Sequence, residues 1–230
     1  MSNSPEQLPL ELPHRPAHGA EDFLVSGCNE AAVLAIDRWP DWPHPAMAVT
    51  GPPGSGKSHL VNVWRSRSSA LTLPATSLSQ DSASEFGAHR AIAIEDIDRG
   101  IADEQALFHI LNMAAEHKLS VLLTSRRAPG ELTIALPDLR SRLRAVPVVS
   151  IASPDEALLR ALLVKLFADR QLAVEPHVIS YLALRIERST EAAQRAVAEI
   201  DRLALATRRR VTRALVAEVL ARLAPDEAEA

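Results

Sequence analysis

The chain has one cysteine, Cys28, in 230 residues. That excludes an internal disulfide framework and a cysteine-rich metal site. It also lacks an excess of positive charge, with 25 Lys+Arg against 29 Asp+Glu. Such a chain does not coat nucleic acid by charge alone, and any basic surface must be local. No run of about 18 apolar residues occurs. The start, Met1-Ser2-Asn3-Ser4-Pro5-Glu6, has neither the basic nor the apolar region of a signal peptide. These absences lead to the expectation of a soluble cytoplasmic protein without a membrane segment. His44, His59, His89, His109 and His117 show no metal-ligand spacing.

What is present is a 47% apolar chain, enough for one α/β core and one small helical appendage. The first twenty residues carry Pro5, Pro9, Pro13 and Pro16 among polar groups, and read as an extended tail with too little apolar surface to order itself. A helix fits Asn29 to Trp39, with Asn29 as N-cap and Ala32, Val33 and Ile36 on one face. Pro40, Pro43 and Pro45 then end it. Short apolar runs follow at Ala46 to Thr50, Ala70 to Leu73, Ala91 to Ile94, Leu119 to Thr124 and Val146 to Ile151. Between them lie Lys57 to Arg67, a polar stretch from Ser77 to Phe86, and Asp103 to His117. This alternation predicts a parallel β-sheet covered by helices on both faces.

After Ile151 the strand patterns stop. Ser153-Pro154-Asp155-Glu156 reads as a capping box with Pro154 at the first helical position. Helical patterns continue to Leu223, through Pro176 to Ile186, Glu191 to Ala206 and Arg213 to Leu223. The expected organisation is a tail over 1–20, an α/β domain over 21–151, a small C-terminal helical lid over 152–224 and a frayed acidic end over 225–230. Trp39, Trp42 and Trp64 are expected to pack around the first helices.

The chemistry centres on Gly51-Pro52-Pro53-Gly54-Ser55-Gly56-Lys57-Ser58, which satisfies the P-loop pattern G-x-x-x-x-G-K-S/T between a strand and a helix. Its glycines let several N–H groups turn inward on phosphate oxygens, with the following helix dipole adding attraction. Lys57 is placed to reach the β- and γ-phosphates, and the Ser58 hydroxyl to bind Mg²⁺. An apolar strand ending in acid, Ile92-Ala93-Ile94-Glu95-Asp96-Ile97-Asp98, is the expected companion. Glu95 would join Ser58 at Mg²⁺ and Asp96 would position the attacking water. The reading is an ATP- or ADP-binding protein.

A P-loop domain with a helical lid resembles the AAA+ ATPases, and several segments are similar to the replication-initiator branch, the DnaA-like proteins. Asp22-Phe23-Leu24-Val25 with Asn29 resembles the segment that cradles adenine. Thr124-Ser125-Arg126-Arg127-Ala128-Pro129 resembles the sensor-1 strand and its exit, and Leu136 to Leu143 the arginine-finger segment. The resemblance implies that Phe23, Val25, Asn29, the P-loop residues, His59 and Arg195 contact nucleotide. It also implies that Arg142 acts in trans on a γ-phosphate held by a neighbouring subunit. In the tail, Gln7-Leu8-Pro9-Leu10-Glu11-Leu12 resembles a peptide that docks on the β sliding clamp through Gln7, Leu8, Leu10 and Leu12. A DnaA-like core that ends after the lid, with such a tail, is most similar to the Hda-like regulatory inactivators. That implies a negative regulator of replication initiation in the bacterial cytosol, associated with the replisome. Its partners would be a DnaA-type initiator and the sliding clamp, with a possible homo-oligomer and only weak or indirect DNA contact. A helicase-loader ATPase acting on a replicative helicase and single-stranded DNA, and a nucleotide-dependent adaptor, are the alternative readings.

Three positions depart from the family pattern. The sensor-2 arginine position carries Glu191, with Arg188 and Arg195 one turn either side as substitutes. An acidic residue at sensor 1 is replaced by Arg126, and the first acid of the strand end is Glu95. The expectation is nucleotide binding, ADP preferred, with weak intrinsic hydrolysis. The basic run Arg208-Arg209-Arg210 with Arg213 reads as a solvated turn.

Overall fold

In the computed structural model, residues 24–87 and 89–223 are described. Gln7, Leu8, Leu10, Leu12 and Phe23 lie outside the described residues, as does the acidic end. Five strands form one parallel sheet: β1 (Ala46–Thr50), β2 (Leu71–Pro74), β3 (Ala91–Glu95), β4 (Ser120–Ser125) and β5 (Val148–Ser150). Their spatial order is β2-β3-β4-β1-β5. Parallel neighbours need crossovers, which the helices supply: α2 (Lys57–Ser68), α3 (Gln80–Phe86), α4 (Glu104–His117) and α5 (Pro137–Ala145), with α1 (Glu30–Asp37) preceding β1.

The strands are apolar at nearly every position because both sheet faces are covered. Side chains alternate between two cores. Ala46, Ala48, Ile92, Ile94, Val121 and Leu123 pack with Leu107 and Ile110 of α4, Phe86 of α3 and Leu139 and Leu143 of α5. Met47, Val49, Ala91, Ala93 and Leu122 point the other way, onto Val33 and Ile36 of α1 and Leu60, Val61 and Trp64 of α2. The edge strand β5 is largely exposed.

Side-chain caps start α3 and α4, and the later helices α6 (Glu156–Asp169) and α8 (Thr190–Thr207). Asp103 accepts from Ala106 N–H at 2.9 Å at the start of α4. Two expected caps differ. Asn29 immediately precedes α1 but caps nothing in it. Its carboxamide instead donates to Leu24 O and accepts from Ser26 N–H, both at 2.9 Å, closing the preceding loop. At the lid, the helix α6 (Glu156–Asp169) starts two residues later than the Ser153-Pro154 reading, because the Asp155 carboxylate accepts from Leu158 N–H at 2.7 Å. Pro154 is buried ahead of the helix.

The remaining helices are α7 (Pro176–Ala183), α8 (Thr190–Thr207) and α9 (Arg213–Leu223). With α6 they enclose a separate core of Leu159, Leu163, Phe167, Leu182, Val197, Ile200, Leu215 and Val216, among others. Among the described residues, no helix is long and apolar enough to cross a membrane.

Trp64 is fully buried, stacked on Trp42 with centroids 5.4 Å apart and edge-on to Trp39 at 6.1 Å. Its Nε1 is buried without a hydrogen-bond partner. Trp64→Ala should therefore cost about 3–5 kcal/mol in urea unfolding. Trp64→Phe keeps ring packing and removes the orphaned donor, so it should cost less than half as much.

Candidate functional site

The parallel sheet brings the ends of β1, β3 and β4 to one edge, and the P-loop leaves β1 there. The loop has no room for side chains at its base. A Cβ on Gly51 would stand 2.4 Å from Ile151 O and 2.8 Å from Ser55 Oγ. Lys57, at the first position of α2, is buried, and its ammonium donates to Gly51 O at 2.8 Å and Pro52 O at 2.9 Å. Burial holds its pKa below the ordinary lysine value; Asp96 and Asp98 oppose that shift, and Arg126 and Arg99 add to it. Ser58 Oγ donates to Glu95 Oε2 at 2.6 Å, joining the two residues expected to share Mg²⁺.

The acidic end of β3 is held by β4. Asp96 adopts a left-handed backbone, φ 58°, and its N–H donates to the buried Thr124 Oγ1 at 2.9 Å. Its carboxylate pairs with Arg99 Nε at 3.2 Å. Asp98 accepts from Arg126 N–H at 3.0 Å and pairs with Arg126 Nε at 3.5 Å, with its side chain only 8% exposed.

The lid closes the site from above. Thr190 donates twice to Gly54 O, through its N–H and its Oγ1, each at 2.7 Å. Gly54 lies at φ +65°, and a Cβ there would meet Ser189 Cβ at 2.6 Å. Between P-loop, β3, β4 and lid lies a cleft of about 570 Å³. The core lines it with Lys57, Ser58, His59, Asp96, Arg99 and Arg126, the lid with Leu162, Thr190, Glu191 and Gln194.

These residues fit a nucleotide's phosphate chain. The buried Ser55 Oγ has no partner, and the Lys57 ammonium rests on main-chain carbonyls that a phosphate can replace. The backbone of 51–58 and Lys57 would hold phosphates, and Ser58 with Glu95 a Mg²⁺. The metal would supply charge neutralisation at the phosphate oxygens.

Other expected residues fall elsewhere. Val25 packs on the core beneath α1 and α2, while Asn29 is buried and its polar atoms serve its own loop. Arg195 is absent from the cleft lining and instead lines a second cavity of about 610 Å³ with Arg185, Ala192, Ala196 and Leu220. Successive residues of a helix turn by about 100°. Glu191 and Gln194 line the cleft, while Arg195, only about 40° round α8 from Glu191, lines the other cavity with Ala192 and Ala196. Arg188 is exposed and lines neither cavity.

Arg142 is exposed on α5, beside a small cavity shared with Pro45 and Ala46. Ala46 begins β1 and the P-loop follows its end, so Arg142 stands about a strand length, roughly 15 Å, from the chain's own P-loop. Leu139 and Leu143 bury one face of α5, which leaves Arg140, Arg142 and Arg144 outward. Sequence reasoning placed Asp98 at the acidic strand end and Thr124 at the start of the sensor-1-like segment without giving either a role of its own, and it missed Thr190, because such residues carry no signal without their partners.

Phosphate beside Lys57 raises a pKa that burial has lowered. Calorimetry of nucleotide binding in buffers of different ionisation heat should find proton uptake in the alkaline window between the two values. Below that window Lys57 is charged in both states and uptake should vanish. Gly54→Val should destabilise by about 1–3 kcal/mol, through positive φ and the clash with Ser189, as read by thermal unfolding.

No protein-family model matches the chain. It is 23% identical over 239 residues to the chromosomal replication initiator protein DnaA of Cutibacterium acnes, covering 93% of this chain and 48% of that protein. It is 24% identical over 233 residues to an uncharacterized protein of Haemophilus influenzae, covering 94% and 98%. The chain thus spans about half the length of the DnaA protein it matches. Domain III of the Thermotoga maritima replication initiation protein DnaA superposes with a TM-score of 0.76 at 17% identity, over 91% of this chain and 98% of that one. A replication initiator DnaA bound to AMPPCP and single-stranded DNA superposes at 0.66 and 17% identity, over 84% and 69%. The chain carries the AAA+ fold and is related in sequence to the initiator DnaA.

Proposed function

We propose that this chain is an adenine-nucleotide-binding, Hda-like negative regulator of replication initiation, which stimulates ATP hydrolysis by a DnaA-type initiator. The observation that supports it best is the separation of two phosphate-directed features. Lys57, Ser58 and Glu95 surround a cleft on one edge of the sheet, and Arg142 is exposed near the opposite edge. A guanidinium that stands a strand length from its own P-loop is free of that site, as action on a nucleotide held by another subunit requires.

In this reading the bound ADP or ATP, with Mg²⁺, sets the position of the lid through the P-loop contact at Gly54 and Thr190. The chain's own turnover is slow, because the lid residues facing the cleft, Leu162, Thr190, Glu191 and Gln194, include no cation. Gln7, Leu8, Leu10 and Leu12 tether the protein to the β sliding clamp, which concentrates Arg142 near initiators at replicating DNA. Arg142 then offsets the charge that develops on the initiator's γ-phosphate oxygens during hydrolysis.

The test is ATP hydrolysis by the initiator with DNA-loaded clamp, with and without this chain. A working finger accelerates hydrolysis by roughly 10³–10⁵-fold, so Arg142→Ala should abolish nearly all stimulation. Leu8→Ala with Leu10→Ala should remove its dependence on the clamp. Steady hydrolysis by this chain alone, without stimulation of the initiator, would replace the reading with a helicase-loader ATPase.

A further inference from the structure

We infer that the lid carries a contact for the phosphate backbone of double-stranded DNA, made by Arg185, Arg208, Arg210 and Arg213 and blind to base sequence. The charge argument stands apart from the nucleotide cleft. It rests on the reading of the chain as a clamp-tethered regulator only in naming duplex DNA as the polyanion at hand.

Charge is divided unevenly along the chain. The whole is mildly acidic, yet residues 156–223 hold twelve Arg+Lys against eight Asp+Glu. Most of those carboxylates are already taken. Glu156 pairs with Arg160, Asp169 with Lys165, Asp201 with Arg170 and Glu199 with Arg202. Glu218 takes both Arg209, at 3.0 Å, and Arg222, at 2.7 Å. Among the described residues, Arg185, Arg208, Arg210 and Arg213 have no carboxylate at ion-pair distance, and all four are exposed. The fold brings them together from separate helices. Arg185, just past α7, and Arg213, the first residue of α9, both stand over the Tyr181 ring, with guanidinium carbons 3.8 and 4.4 Å from its centroid. The two cations are thus within about 8 Å of each other, where like charges repel. The ring face offsets part of that repulsion, and a phosphate would offset the rest. Arg208 and Arg210 stand in the turn that leads into Arg213, and the Arg209–Glu218 pair ties the middle of that turn to α9. The run that reads as a solvated turn along the chain is therefore one end of a wider basic patch.

The surroundings of these cations select phosphate. From 207 to 213 every exposed position is threonine or arginine, and the one apolar residue, Val211, is buried. The centre of a protein interface is apolar or aromatic. Hydroxyls and guanidinia are instead the groups that contact phosphate oxygens. Of the two lid aromatics, Phe167 is buried and Tyr181 faces two guanidinia, so neither offers an open ring on which an unpaired base could stack. That favours a duplex held by its backbone over a single strand. The first turn of α8 rests on the P-loop and the arginine turn follows its last, about 27 Å away by helix rise, so DNA there does not obstruct the nucleotide cleft.

The test is fluorescence anisotropy of a labelled duplex with the full chain, in the absence of clamp and initiator, across roughly 50 to 200 mM salt. Four neutralised phosphates set a slope of log affinity against log salt of about −3.6, a loss of roughly 10²-fold over that range. Arg208→Gln with Arg210→Gln should weaken binding and bring the slope to about −1.8, and so should Arg185→Gln with Arg213→Gln. All four changes together should abolish the salt-dependent binding. The same four arginines changed to lysine should keep most of it, because a point charge suffices for a phosphate. A duplex of unrelated sequence should bind within about two-fold. Each variant is checked for an unchanged unfolding midpoint. Arg140→Gln with Arg144→Gln, on the outward side of α5, is the control for basic charge elsewhere and should bind like the wild type. No duplex binding by the wild type at the lowest salt, or an unchanged slope in the fourfold Arg→Gln variant, would overturn the inference. So would binding that is lost with Arg140 and Arg144 while the lid is intact. Tighter binding of the matching single strand would overturn the duplex assignment. Capture of a poly-glutamate peptide through the same four arginines, with no DNA bound, would assign the patch to an acidic protein instead. Because clamp and initiator are absent, every one of these outcomes is separate from the test of Arg142.

Discussion

Every part of the site depends on the five strands running the same way. A parallel pair cannot be joined by a tight turn, so each connection carries a helix back across a face. Both faces are then buried, which is why β1, β3 and β4 are apolar at successive positions and why Ala46 and Met47, or Ile92 and Ala93, serve opposite cores. The same constraint gathers all strand C-termini on one edge. Thr50, Glu95 and Thr124, far apart in the chain, become neighbours there. The Asp96 N–H to Thr124 Oγ1 hydrogen bond is one product of that proximity, and the Ser58–Glu95 contact is another.

The lid enters through a small contact. One carbonyl, Gly54 O, takes both the N–H and the hydroxyl of Thr190, and the absence of a side chain at Gly54 lets Ser189 approach. The first turn of α8 is thereby fixed against the P-loop, and with it the identity of the residues that look into the cleft. Arg142 lies outside this arrangement, near the other edge of the sheet, and its surroundings are set by the burial of Leu139 and Leu143.

Local patterns were legible where one physical effect dominated. The run Ala46 to Thr50 is a strand with the limits its composition suggests, and Lys57 opens a helix as the P-loop pattern requires. Where two residues compete for one role, the pattern was ambiguous. Ser153 and Asp155 can both cap a helix, and the one with the Leu158 N–H in reach, Asp155, does so. Asn29 has the right position and type for a cap, yet its amide is spent on the loop before it. Arg195 shares a helical face with Glu191 on simple spacing, but the cleft takes only one side of that face, the side of Gln194.

The sequence by itself determined the phosphate-binding loop, the parallel α/β core and the all-helical character of residues 156–223. Those properties are local, written in glycine placement, apolar period and caps, and they need no distant partner. Only the tertiary structure decided which charges meet. Read along the chain, Arg126 is a missing acid and Glu191 a missing arginine; read in space, they are a cation and an anion lining one cleft. Asp98 shows its role only beside Arg126, and Thr190 only beside Gly54. Electrostatic and hydrogen-bonding roles belong to pairs, and pairs separated by dozens of residues exist only once the chain is folded.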